Sequence, residues 1–125
     1  MPISVTWFIE KEVIYLKVFG VVTPEEVFNL NQETMALLET GNHPVHIIID
    51  TLEVTEYPTN LRWVMRLVRT NPVRPSGMNI LIQNNSTVRV LACAILNVLR
   101  LPLHVCSTLQ EADAFLEAMI YSRVY

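Results

Sequence analysis

The sequence predicts a single α/β domain with a mixed, mostly parallel sheet, and three observations carry this prediction. Five short apolar segments have the composition of strands, and the second to the fifth are each followed by a segment that begins with a helix-capping signal. Strands that alternate with single helices pair in parallel through right-handed crossovers. The chain is 51% hydrophobic and 17% charged, which excludes a disordered chain and suggests that a partner or a second copy covers some apolar surface.

The first half of the chain predicts a hairpin, a helix and a buried strand. Apolar residues alternate with polar or bulky neighbours over Ile3–Ile9, and the β-branched and aromatic run Val13–Phe19 forms the second arm of the hairpin. At Thr23–Glu26, a threonine, a proline at the first helical position and a glutamate that can reach back predict a capping box. This helix ends at Gly41–Asn42, and Val45–Ile49 then predicts a strand covered on both faces.

The second half of the chain predicts three helices and two further strands. The second helix covers Leu61–Thr70, and the fourth strand covers Met78–Ile82. The third helix covers Val88–Leu99, and the last strand covers Leu103–Cys106. A second capping box at Ser107–Gln110 begins the final helix.

The order of these elements and three short stretches carry a resemblance to a known family. The stretches are Leu103–Ala112, a strand with a capped turn and a helix rich in Glu and Ala; Ile47–Asp50, a strand that ends in Asp; and Val54–Thr55. With the order β-β-α-β-α-β-α-β-α over one domain, residues 1–125, they resemble the STAS domain, named for sulphate transporters and anti-sigma factor antagonists. The resemblance implies a bacterial, cytoplasmic regulator that binds a kinase-like or sigma-regulatory protein.

The signature loop of that family is altered in this chain. Anti-sigma factor antagonists carry an Asp-Ser-Ser-Gly-like loop there, and a partner kinase phosphorylates one serine, which breaks the complex. This chain has Tyr57–Asn60 instead, so Thr59 is the nearest equivalent of the switch serine. Thr59 is also a helix cap worth about 1 kcal/mol, whereas a phosphate on it would face the positive helix end beside Arg62. The resemblance implies a partner surface that includes Asp50, Thr55, Tyr57, Thr59 and Asn60.

Charge is unevenly distributed along the chain, whose net charge is −3. No carboxylate lies between Glu56 and Glu111, where six arginines occur. Three of them, Arg62, Arg66 and Arg69, share one face of the predicted second helix. This stripe is either a solvated face or a docking site for an acidic partner, a nucleotide or a lipid headgroup. Nucleic acid is not predicted, because the domain is acidic overall and lacks an aromatic-rich strand pattern.

The predicted third helix is apolar on almost its whole circumference. A helix of this kind is normally buried on more than one side, and at this length it cannot cross a membrane. It therefore predicts a partner contact or a homodimer contact, to which apolar residues of the second helix add. The residues predicted for this contact are Trp63, Leu67, Leu91 and Ile95.

Motifs for catalysis, for metal binding and for cofactor binding are not found in the sequence. The three glycines cannot build a phosphate-binding loop, and no GxSxG motif occurs. His43 and His46 lack a nearby ligand partner, and His104 lies in a predicted strand, so all three are interpreted as structural. The two cysteines, Cys93 and Cys106, have no metal-binding spacing and are predicted to be buried free thiols in a reducing cytoplasm.

The leading interpretation is a non-enzymatic protein-interaction or regulatory module without the family's serine motif. The alternative is a module of the same fold that senses a small ligand, a nucleotide or a lipid. A third interpretation is a subunit that assembles through its apolar helices. No secretory signal or membrane span is predicted.

Overall fold

A computed structural model of the chain describes residues 3–42, 44–56, 62, 77–87, 89–90, 93–94 and 102–124. These residues form one mixed sheet and two long helices, which confirms the predicted α/β class. The elements are β1 (Ile3–Ile9), β2 (Val13–Val21), α1 (Pro24–Thr40), β3 (His46–Glu56), β4 (Asn79–Ile82), β5 (Leu103–Cys106) and α2 (Leu109–Val124). Most of the predicted second and third helices lies outside the described residues. Residue 62, and residues 86–87, 89–90 and 93–94, are helical.

The five strands lie in the sheet in the order in which they occur along the chain. β1 and β2 form an antiparallel hairpin, whereas β2, β3, β4 and β5 are all parallel to one another. The hairpin turn contains Lys11 at φ 64°, and the Glu12 N–H donates to the Ile9 carbonyl at 3.0 Å. The carboxyl ends of four strands therefore lie at one edge of the sheet.

β2 and β3 are longer than the sequence predicted. The strand β3 continues seven residues past the predicted end at Ile49, and its last pair joins Glu56 to Val21 of β2. β4 reaches only as far as the pair between Ile82 and Asp50, so the ends of β2 and β3 project beyond it as a parallel ribbon. Two register shifts interrupt the ribbon, and Gly20 adopts φ 69° at the second of them. The strand was predicted to end at Phe19, just before this glycine, but pairing continues through the left-handed backbone that the glycine supplies.

A bulge in β1 changes the predicted alternation of its side chains. The register shifts between Trp7, which pairs with Ile14, and Ile9, which pairs with Val13. Because Val13 and Ile14 point to opposite faces of the sheet, Ile9 points away from the face that Trp7 occupies. The prediction that apolar residues of β1 share one face is therefore wrong at Ile9.

The two faces of the sheet are covered by different helices. α2 covers one face, where its Ala112 and Leu116 pack with Ile80 and Ile82. α1 covers the other face, where Leu38 packs in a cluster with residues of β2 and β3. Burial on both sides explains the unbroken apolar runs of the central strands, as the sequence predicted for β3.

The helix starts confirm one predicted capping bond and correct two others. Thr23 Oγ1 accepts from the Glu26 N–H at 3.3 Å, but Glu26 Oε2 is buried without a hydrogen-bond partner among the described residues. In α2 the cap is Thr108, which accepts from the Glu111 N–H at 3.1 Å. Glu111 Oε2 in turn accepts from the Ser107 N–H at 2.8 Å. The predicted box over Ser107–Gln110 is therefore displaced by one residue.

Candidate functional site

The carboxyl edge of the parallel strands is the place where an open α/β sheet presents its functional groups. At this edge the chain leaves β4 into Gln83 and leaves β5 into Ser107. β3 does not end there but continues beside β2 as the ribbon, with Asp50 at its base. These three positions therefore define the part of the sheet at which the predicted partner surface is expected.

The Gln83 side chain at the carboxyl edge makes four hydrogen bonds and is only 3% exposed. Its Nε2 donates to the Thr51 carbonyl at 3.0 Å and to Thr51 Oγ1 at 2.9 Å. Its Oε1 accepts from the N–H groups of Asn84 and Asn85, both at 2.9 Å. Gln83 thereby fastens the base of the ribbon to the turn that follows β4. Sequence reasoning missed it, although a glutamine directly after an apolar strand is a usable signal.

Arg89 joins the ends of β4 and β5. Its Nη2 donates to Ser107 Oγ at 2.7 Å, and its Nε donates to the Gln83 carbonyl. The Arg89 N–H donates to the Asn85 carbonyl at 3.0 Å, which places the arginine one helical turn after the strand end. The Ser107 hydroxyl thus binds Arg89, while the neighbouring Thr108 caps α2.

Asp50 is buried rather than exposed for contact, with 8% of its surface accessible. Its Oδ2 accepts from the Tyr15 hydroxyl, and its Oδ1 accepts from the Leu52 N–H at 3.2 Å. Both carboxylate oxygens thus bind within the chain, and the bond to Tyr15 joins β2 to β3 at the base of the ribbon. Tyr15 was not predicted as a site residue. The signal for it is the parallel pairing, which puts Tyr15 and Asp50 on one face two residues apart.

The Tyr15 hydroxyl should make the stability of the fold depend on pH in the alkaline range. Burial raises its pKa above the ordinary value of 10.0, and the bond to Asp50 raises it further. Because the folded chain holds this proton more tightly than the unfolded chain, the stabilisation is complete below pH 10 and is lost as the pH rises through the raised pKa.

We expect Tyr15→Phe to lower the free energy of unfolding by about 1 kcal/mol at pH 8, because the Asp50 oxygen loses its donor. The gap between the variant and the unmodified protein should narrow as the pH rises above 10. Urea unfolding of both proteins from pH 8 upward measures the difference between their free energies of unfolding. The other tyrosines are common to both proteins and cancel in the difference, so a gap that stays constant would contradict the assigned role.

The ribbon beyond Asp50 is partly exposed and carries both charged and apolar groups. Lys17 Nζ lies 2.9 Å from Glu53 Oε2, and both side chains remain largely in solvent. The Glu53 carboxylate raises the pKa of the Lys17 ammonium. Among the described residues, four large hydrophobic side chains are exposed, and two of them lie here: Val21 at 51% and Leu52 at 37%.

The structure describes some of the predicted contact residues. Thr55 is exposed on β3, and Arg62 is exposed and helical. On the predicted third helix, Val90 is 68% exposed, as expected for a helix with more apolar surface than one sheet face can cover. The remaining predicted contact residues lie outside the described residues. They are Tyr57, Thr59, Asn60, Trp63, Arg66, Leu67, Arg69, Leu91 and Ile95.

The histidines and cysteines that the structure describes have structural surroundings. His46 is buried and its Nδ1 accepts from the Met78 N–H at 2.9 Å, while the His104 ring stacks on Phe115 at 3.8 Å. The Cys106 thiol is buried, which raises its pKa, and Cys93 is half-buried; both are free. Within the described part of the chain, no three His, Cys, Asp or Glu side chains come together as metal ligands. His43 lies outside it.

No protein-family model and no curated protein matches this chain. Membership of the STAS family therefore stays a prediction from the residues. Of the helices that the structure describes, none is long and apolar enough to cross a membrane.

Proposed function

We propose that this chain is a non-enzymatic, STAS-like interaction module that binds another protein through the exposed end of the ribbon formed by β2 and β3. The observation that carries the proposal is the exposure of Val21 and Leu52 on this ribbon, which also carries the charged pair of Lys17 and Glu53. Apolar side chains surrounded by charged and polar groups are the usual composition of a protein interface.

The hydrogen bonds beneath the ribbon support the same proposal. Asp50 and Gln83 have their hydrogen-bonding groups engaged within the chain, so they position the ribbon and leave little capacity for binding a substrate. Thr55, by contrast, is exposed farther along β3, and Arg62, seven residues later in the sequence, is exposed as well. A fixed base with an exposed upper part reduces the entropy that is lost when a partner binds.

The partner surface is tested by changing one exposed apolar residue on the ribbon. We expect Leu52→Asp to reduce recovery of a kinase-like or sigma-regulatory partner from native lysate about tenfold, since an apolar contact is replaced by a charge that must be desolvated. The matched control is Leu109→Asp, because both leucines are 37% exposed and Leu109 lies at the start of α2. Circular dichroism establishes that both variants are folded. Equal recovery by the two variants would contradict the proposed surface.

The predicted phosphorylation of Thr59 has a separate test. Incubating the protein with its partner kinase and ATP should place one phosphate on Thr59, as detected by mass spectrometry, and should release the partner. The Thr59→Ala variant should bind but not be released. An unmodified Thr59 would remove the switch from the proposal, while the result for Leu52 would still decide whether the ribbon is a binding surface.

A further inference from the structure

β1 is an edge strand with a regular, uncharged segment at its start. In the described part of the chain β1 pairs with β2 alone, so only one of the two edges of β1 is hydrogen-bonded to another strand. Alternate residues of such a strand direct their N–H and C=O groups away from the sheet. The opposite edge of the sheet is β5, which has four residues and is shorter than β1 with seven.

Edge strands are usually protected against pairing with another chain by charged residues, prolines or bulges. From Ile3 to Ile9 the sequence has no charged residue, no proline and no glycine. The bulge affects only the end of the strand after Trp7. The five residues from Ile3 to Trp7 therefore keep a regular and unprotected edge.

We propose that this edge pairs with the same edge of a second copy of the chain, antiparallel and centred on Val5. A two-fold axis through Val5 puts Ile3 opposite Trp7 of the second copy and Ser4 opposite its Thr6. All apolar residues then meet on one face of the joined sheet, and the hydroxyl residues meet on the other. Pairs of an aromatic with a β-branched residue, and of Ser with Thr, are favourable across antiparallel strands.

The second copy fits this edge because the five residues are complementary to themselves. Such a two-fold contact is closed, so it yields a dimer with ten strands rather than a fibre. Both copies of α1 lie on the same side of the joined sheet, the side that carries Val5 and Trp7. α1 has four glutamates and no basic residue, so salt should strengthen the association by screening their repulsion.

The test is analytical ultracentrifugation of the full chain up to about 1 mM protein, a range that covers weak association. We expect a monomer–dimer equilibrium that strengthens with added salt. The double variant Ser4→Lys with Thr6→Lys places like charges opposite each other and should raise the dissociation constant at least about tenfold. The control, Ala114→Lys with Ala118→Lys, adds the same charge to exposed positions of α2 and should leave the dissociation constant unchanged.

The register has its own readout. Val5→Cys should form an intermolecular disulfide under mild oxidation, because the two Val5 residues face each other, whereas Thr6→Cys should not. A monomer at every concentration would overturn the proposal. So would a dimer that the β1 lysines leave intact and that Val90→Lys on the third helix dissociates. Neither result bears on the ribbon, because Leu52 and β1 are changed separately.

Discussion

Replacing Gln83 with methionine is expected to lower the free energy of unfolding by about 3 kcal/mol, since four hydrogen bonds of a buried side chain are lost while its volume is kept. The lost bonds leave the Thr51 groups and the N–H groups of Asn84 and Asn85 without this partner. The base of the ribbon should loosen, so partner binding should fall together with stability. Urea unfolding measures the loss of stability, and hydrogen exchange at the Thr51 and Leu52 amides measures the loosening of the ribbon.

A second variant at this position is Gln83→Glu. It keeps an oxygen that accepts from Asn84 and Asn85 but turns a carboxylate oxygen towards the Thr51 carbonyl in a site that is 3% exposed. Its loss of stability should therefore be at least as large at neutral pH, and smaller at acid pH, where the protonated carboxyl can donate. Hydrogen-exchange protection of the core strands should be maintained in both variants. If Gln83→Met unfolds at the same urea concentration as the unmodified protein, the bonds at this edge do not hold the ribbon.

The substitution Gly77→Ala is expected to lower the free energy of unfolding by about 3 kcal/mol, because a methyl group there would overlap the buried ring of His46. A Cβ on Gly77 would lie 2.7 Å from His46 Cε1 and still closer to Nδ1. The ring cannot withdraw freely, since it is 3% exposed and its Nδ1 accepts from the Met78 N–H. Thermal unfolding followed by circular dichroism measures the loss.

Gly20 is the control that separates crowding from backbone strain. It has φ 69° and no heavy atom within 4 Å of a Cβ, so Gly20→Ala carries only the cost of the left-handed conformation, about 1 kcal/mol. The decisive result is that Gly77→Ala should lose more stability than Gly20→Ala. A larger loss at Gly20 than at Gly77 would mean that His46 moves aside.

The strands and helices that the structure describes were largely predictable, because they depend on local periodicity and capping. The apolar alternation of β1, the composition of β2 and the threonine cap of α1 each predicted an observed element. Their ends were less predictable. The sequence after Asp50 contains polar residues typical of a loop, yet Val54 and Thr55 are β-branched and find a parallel partner in the extended β2. A strand continues when a neighbour supplies hydrogen bonds, and that neighbour is distant in sequence.

The candidate site was predictable only in its position. Asp50 was expected at a carboxyl end, and it lies at the level of the last β4 pair. Its burial could not be predicted, because the bond to Tyr15 spans 35 positions and depends on the register of two strands. Arg89 is similar: the sequence placed it in a helix that is otherwise almost wholly apolar and gave it no role, but its guanidinium binds the ends of two strands. Contacts of this kind follow from topology, which local patterns do not encode.

Site-specific crosslinking tests the protein-interaction surface most directly. A photoreactive amino acid is placed at Thr55, on the exposed end of the ribbon, or at Glu12, which is exposed beside the amino ends of the strands. With a kinase-like or sigma-regulatory partner present, illumination should produce a crosslinked product from the Thr55 position and little from the Glu12 position. Equal crosslinking at both positions, or crosslinking from Glu12 alone, would contradict binding through the ribbon.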